Sequence, residues 1–473
     1  MEFLGDPGIG FSNLVFLLIA LFIAMGFEFV NGFHDTANAV ATVIYTNTMK
    51  PWPAVMWSGF CNFLGVYLGG IAVAYSIVHL LPVELLLQTN TREGMAMVLA
   101  LLLAAISWNL GTWYLGIPCS SSHTLIGAIL GVGLANGILH GRPFGTGVNW
   151  EKTRDVGLSL LFSPLFGFFV AAGLLLLVIK LFPNPILHTP PINGKPPPWP
   201  MRLILFGTCS GVSFAHGSND GQKGMGLIML ILIGSATSLF AVNLESKPAD
   251  LDSFRNSANS MDQILTRFDP PSSKVLLVSQ LTATRETLVG ISSMLEGRTS
   301  FREIVAEDRK LFREKVITAN HAVKHLVESL ELDFTPEEIK TLSKNRKTLA
   351  KSTEYVPWWV ILMVALALGI GTTVGWKRIV VTVGEKIGKS HLTFAQGATA
   401  EMITAGTISM AVLWGAPVST THILSSGVAG TMAASKAGLQ LNTVRTIALA
   451  WVLTLPVSMI KGGAFFAFLR AIL

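Results

Sequence analysis

Apolar runs free of Asp, Glu, Lys and Arg recur along this chain, separated by short polar islands. They cover 7–27, 51–83, 94–141, 156–179, 224–244, 355–376 and 402–435, with shorter or interrupted runs at 203–219 and 446–473. A helix needs about 20 apolar residues to cross the hydrocarbon core of a bilayer. The run at 94–141 is 48 residues long and must hold two passes, or one pass and a re-entrant hairpin. The pattern predicts an all-α polytopic membrane protein with ten to twelve membrane-entering helices.

Two stretches interrupt this pattern. Residues 181–202 include PNPILHTPPINGKPPPWP, which cannot form a helix interior and reads as a linker between halves. Residues 244–355 are rich in charge, and Ile304, Leu311, Phe312, Val316, Val323, Leu326 and Leu330 recur there at the spacing of an amphipathic helix. The expected layout is a first transmembrane repeat at 1–180, the linker, the start of a second repeat at 203–243, a helical extramembrane insert at 244–355, and the rest of the second repeat at 356–473. The charge pattern of the insert is that of a solvated face.

Composition agrees with a membrane class: 51% of residues are hydrophobic and 13% charged, and mean hydropathy is +0.56. The insert holds 17 basic and 17 acidic side chains, so the net charge of +6 falls wholly on the remainder. That excess reads as positive-inside topology signal and headgroup anchoring, and argues against nucleic acid as a partner. Lys377, Arg378, Lys386 and Lys389 mark a cytoplasmic loop, whereas the side of the insert is open. Cys61, Cys119 and Cys209 lie in apolar surroundings without CxxC spacing, so free buried thiols are expected rather than disulfides or a zinc site. The apolar run at 11–30 is too long for a signal-peptide core and no basic residue precedes it, so a retained transmembrane helix is expected.

Two motif pairs reveal a duplication. GFHDTANA at 32–39 aligns with GSNDGQKG at 217–224, an offset of 185, and pairs His34 with Asn219, Asp35 with Asp220 and Asn38 with Lys223. PCSSSHT from Pro118 and PVSTTHI from Pro417 share P-x-S-[ST]-[ST]-H at an offset of 299. The offsets differ by 114, close to the 112 residues of the insert, so one duplication interrupted by the insert explains both pairs. Weak internal symmetry with intramembrane polar motifs at matching places is the pattern of repeat-built secondary transporters.

Asp35 and Asp220 carry the first chemical argument. A carboxylate at the bilayer centre costs at least about 2.5 kcal/mol, so two at equivalent positions point to a cation or proton site. Ser120, Ser121, Ser122 and Thr124, with Ser419, Thr420 and Thr421, follow a proline and precede runs of small residues. Proline favours a break there, and Ser or Thr caps the helix that starts next. Two helix N-termini rich in N–H and hydroxyl donors form an anion site suited to a tetrahedral oxyanion. His123 and His422 read as orienting or packing groups, and Glu28 and Glu401 as further acids, proton-carrying or interfacial; Asn62 and Asn109 say less. A hydrolase is disfavoured: Ser122 and His123 are adjacent and do not face each other on a helix, and neither G-x-S-x-G nor HExxH occurs.

On these motifs the chain resembles the inorganic phosphate transporter family, low-affinity permeases related to the sodium-phosphate symporters, and is most similar to its bacterial proton-coupled branch. The G-x-N-D signature is matched by Gly217, Asn219 and Asp220, and in the first copy by Gly32 and Asp35, with His34 in place of Asn. The resemblance implies inverted repeats with re-entrant hairpins, phosphate bound by Ser120, Ser121, Ser122, Thr124, Ser419, Thr420 and Thr421, and a coupling-ion site of His34, Asp35, Asn38, Asn219, Asp220 and Lys223, to which Glu401 is added. His34 and Lys223 stand where sodium-coupled relatives carry neutral amides, which suits proton coupling. The function expected is a symporter importing inorganic phosphate across the cytoplasmic (inner) membrane, not an enzyme. Its partners are phosphate, a coupling cation and the lipid bilayer, with a homodimer left open. No resident cofactor is expected; a proton, sodium or a divalent metal in a neutral metal-phosphate complex is the co-transported species. A sulfate permease or a sodium-coupled symporter are the alternatives within transport, and a channel-like or sensor protein the alternative outside it. Cys119, next to the Ser cluster, is expected to make transport sensitive to thiol reagents, with phosphate protecting.

Overall fold

The computed structural model describes residues 11–35, 37–80, 92–191, 196–269, 274–329 and 331–473, without the side chains of Asn38 and Lys152. The described chain is helical, with a single isolated β-bridge between Gly388 and Leu439. It divides into two compact units, one of Leu232–Tyr355 with the N-terminal end of the first helix, the other of Val15–Ile231 and Val356–Leu473.

In the larger unit, α1 (Phe11–Asp35) and α2 (Ala37–Tyr45) run on from each other, followed by α3 (Pro51–Leu68) and α4 (Ala72–Val78), bent by 77° at the break between them. Next come α5 (Arg92–Tyr114), α6 (Ser121–Leu139), α7 (Trp150–Leu181) and α8 (Trp199–Ser235). The 94–141 run is thus two helices joined by a turn through Gly116, which adopts φ +67° and opens the way to Pro118. Among the described residues, five helices are long and apolar enough to cross a membrane, or seven if each bent pair is one span. The ten to twelve segments expected from the sequence also count pieces this criterion leaves out, such as α8 with its polar run at 216–223.

The smaller unit contains α9 (Pro248–Thr266), α10 (Val275–Leu295), α11 (Ala306–Glu328) and α12 (Pro336–Ala350). Consecutive helices pack on each other and α12 returns to α9, which makes a four-helix bundle. Its core includes Phe254, Met261, Leu288, Ile304, Phe312, Val316, Val323 and Leu326. Leu311, expected on the apolar face, is instead 44% exposed, and Leu330 lies outside the described residues. The reason is geometric: at one residue from Phe312, Leu311 leaves the helix about 100° away from the buried stripe.

The larger unit resumes with α13 (Trp358–Thr372), which is bent by 57° from the short helical stretch Lys377–Lys386, then α14 (Phe394–Leu413), α15 (Thr420–Ala434) and α16 (Leu441–Ile472). Thr393 caps α14 in a box with Gln396. The strongest packing is α6 on α16 and α15 on α7, with α3 on α13. Glycines make this close approach feasible: a Cβ at Gly131 would overlap the Met459 carbonyl of α16, and one at Gly430 the Phe168 carbonyl of α7.

Candidate functional site

Asp35 closes α1 and Asp220 lies within α8, and both are buried. Each hairpin turn supplies a helix N-terminus. Ser120 caps α6 at φ −92° and ψ 113°, and Ser419 caps α15 at φ −92° and ψ 104°; each hydroxyl accepts a 3.2 Å bond from the backbone N–H three residues on. Gly415 adopts φ +65° before the second cap, as Gly116 does before the first. The two N-termini meet: the rings of His123 and His422 lie 4.6 Å apart, and Ser122 Oγ donates to the Val418 carbonyl at 3.0 Å. His422 also stacks on Trp451.

The carboxylates converge on these N-termini. Ser121 Oγ lies 3.1 Å from Asp35 Oδ2 and 3.2 Å from Asp220 Oδ2, so one hydroxyl proton serves two acceptors. Thr421 donates to Asp35 Oδ1. Lys223 Nζ bonds Asp220 Oδ1 at 2.6 Å, Ser122 Oγ at 2.5 Å and the Val418 carbonyl at 3.1 Å. Nothing here reaches solvent: Asp35, Asp220, Lys223, Ser121, Ser122 and Thr421 are each at most 3% exposed. Formally, two carboxylates face one ammonium, and a buried site of this kind lacks one positive charge.

His34 stands 3.4 Å from Asp35 Oδ1 and 3.1 Å from Thr112 Oγ1. His216 was not among the residues singled out from the sequence, yet its Nε2 lies 3.6 Å from Asp35 Oδ2 and 3.8 Å from Asp220 Oδ2. Asn62 Oδ1 accepts from its Nδ1 at 2.7 Å and holds the ring in place. Asp35, His216 and Asp220 offer three ligand atoms within 4.8 Å of one another, a donor set suited to a cation.

Other expected residues lie elsewhere or bond otherwise. Asn219 donates to the Ala416 carbonyl at 3.4 Å. Glu401 is buried, with Thr42 and Thr208 donating to its carboxylate. Thr124 bonds back to the Ser120 carbonyl at 2.9 Å, and Thr420 is buried at the start of α15. The side chain of Asn38 lies outside the described residues. All three cysteines are free and buried, and Cys119 Sγ bonds Thr454 Oγ1 at 2.8 Å.

Comparison with known proteins matches this architecture to a family. Residues 31–462 fit the model of the phosphate transporter family. A low-affinity inorganic phosphate transporter of Buchnera aphidicola subsp. Acyrthosiphon pisum is 43% identical over 469 residues, 95% of each chain. The low-affinity inorganic phosphate transporter PitB of Escherichia coli (strain K12) is 40% identical over 98% of this chain and 99% of its own. Among solved structures, a sodium-dependent phosphate transporter shares the fold with a TM-score of 0.55 at 22% identity, covering 97% of this chain and 100% of that one. A family match that takes in both Asp motifs and both capped hairpins, with relatives aligned almost end to end, makes this chain a member of the phosphate transporter family.

Proposed function

We propose that this chain imports inorganic phosphate across the cytoplasmic (inner) membrane by alternating access, with protons as the driving ion. The observation that carries the reading is the convergence of Asp35 and Asp220 on the hydroxyl-rich N-termini of α6 and α15. Helix N-termini and the Ser and Thr hydroxyls at 120–124 and 419–421 bind the phosphate oxygens. Near neutral pH phosphate carries one to two negative charges, and the cluster already lacks a positive one, so a cation must enter with it. Asp35, Asp220 and their histidines form the coupling-ion site that this cation enters, and Lys223 supplies the fixed charge. Asn38, Asn219 and Glu401 belong to the wider ion pathway. Rocking between outward-open and inward-open states follows occupancy, because a half-filled site leaves a buried charge unpaired.

Two inverted repeats, each with a re-entrant hairpin, are the architecture this implies, with the linker at 181–202 between halves and the insert at 244–355 outside the membrane. In support, each half orders a long helix bearing the Asp, a bent helix pair, a glycine-turned hairpin with a Ser cap, and a 32-residue helix with an internal proline. The packing of α6 on α16 and α15 on α7 exchanges the last helices of the two halves.

Labelled phosphate uptake into proteoliposomes tests the reading. Accumulation driven by an inward proton gradient and resistant to excess sulfate is expected; sodium-driven accumulation would change the ion, sulfate competition the substrate, and no accumulation under any gradient would refute symport. The Asp35, His216 and Asp220 donor set favours a second reading, a divalent metal entering as a neutral metal-phosphate complex. Uptake that requires magnesium, with magnesium accumulating alongside phosphate, distinguishes it.

A further inference from the structure

Glu28 lies seven residues before Asp35 on α1, two helical turns away and therefore on the same side of the helix. It is fully buried, and neither carboxylate oxygen has a hydrogen-bond partner. Its carboxyl packs directly on Gly224 of α8, where an added Cβ would overlap it. Gly224 follows Lys223 and stands one turn beyond Asp220. The charged groups facing Glu28 are Asp220 and Lys223 from α8 and Asp35 from its own helix, with the Asn31 side chain beside it.

We propose that Glu28 carries the co-transported proton and that its protonation decides where Lys223 binds. The proposal rests on the reading of the chain as a proton-coupled phosphate symporter. In the arrangement observed, the single ammonium of Lys223 is held by Asp220, Ser122 and the Val418 carbonyl, and so ties α8 to both hairpin N-termini. A carboxylic acid at Glu28 is neutral and leaves that tie alone. A carboxylate there, buried with no donor but the Asn31 side chain beside it, is a rival acceptor for the ammonium. Drawing Lys223 toward Glu28 withdraws the ammonium from Ser122 and the Val418 carbonyl, where the phosphate binds, so phosphate is held only while Glu28 carries its proton. The proton balance is closed: the Glu28 carboxylate takes one proton from the side of entry, becomes the acid, and returns that proton to the side of release.

The test is Glu28→Gln in proteoliposomes, with proton-driven accumulation and phosphate self-exchange measured on the same preparation. The amide mimics the protonated acid, so exchange is expected to persist while accumulation falls to the level seen without a gradient. Accumulation equal to that of the unmodified chain overturns the proposal. If the amide abolishes exchange as well, Gly224→Ala decides, because it keeps the carboxyl and displaces it from Lys223: a shifted pH profile of uptake supports the proposal, and an unchanged one overturns it. Failure of the underlying reading is seen separately, in the unmodified chain; accumulation there with sodium but not protons refutes both.

Discussion

At the scale of single residues, the site turns on one hydroxyl. Ser121 Oγ stands between Asp35 and Asp220, so its loss removes the donor they share. Hydrogen bonds to charged groups contribute about 1.5–3 kcal/mol, so Ser121→Ala is expected to lower phosphate uptake at subsaturating substrate about 10- to 100-fold. Initial rates in proteoliposomes measure this, and Ser121→Thr, which keeps a hydroxyl, is expected to recover much of the loss. An alanine variant with the unmodified rate would show that the bridge is idle during transport. That Asp35, Asp220 and Lys223 on one side and Ser121 and Thr421 on the other carry chemistry was legible in the sequence, though as two separate sites, because carboxylates in apolar runs and prolines before Ser/Thr clusters have few other uses in a membrane. His216 was not. A lone histidine in an apolar run reads as packing, and its orienting partner Asn62 is 154 residues away. Its one local signal was the i,i+4 spacing to Asp220.

At the scale of helices, contact depends on absent side chains. Within the bilayer, helices gain little from the hydrophobic effect and associate by close packing of small residues. Gly131 of α6 faces the Met459 carbonyl of α16, whereas Gly157 of α7 has open space around its Cα. Overpacking costs typically about 1–3 kcal/mol, so Gly131→Ala is expected to destabilise the purified protein in detergent by about that much, read as a lower melting temperature. Gly157→Ala is the contrast: relief of about 1 kcal/mol of helix-interior penalty makes it neutral or slightly stabilising. Equal effects would mean that the α6 and α16 backbones are not as close as described. The helices themselves were legible from run length, and the hairpin turn from Pro118. Their partners were not: nothing in the local pattern pairs α6 with α16 or α15 with α7, because apolar faces that all meet lipid or other apolar faces carry no address.

At the scale of the whole molecule, charge separates the chain into a neutral, soluble-looking insert and a basic remainder. The insert also buries a charged side chain of its own. Arg313 of α11 is 1% exposed, and its Nη1 donates to the Ala241 carbonyl at 3.2 Å and the Thr353 carbonyl at 2.8 Å. Those carbonyls belong to the segments by which the chain enters and leaves the bundle, so a single guanidinium clamps the two strands of the connection together. Replacing it with methionine keeps most of the buried volume and removes both donors. The expected loss is about 1.5–3 kcal/mol for a charge-assisted bond, confined to the bundle. Limited proteolysis of Arg313→Met in the full chain is therefore expected to cut faster within 244–355, while phosphate uptake by the surviving intact chains stays close to that of the unmodified protein. The two readouts separate two roles. Faster cleavage with normal uptake means the bundle is an appendage whose stability is its own; uptake that falls in step with cleavage means the connection clamped by Arg313 is part of the moving machinery.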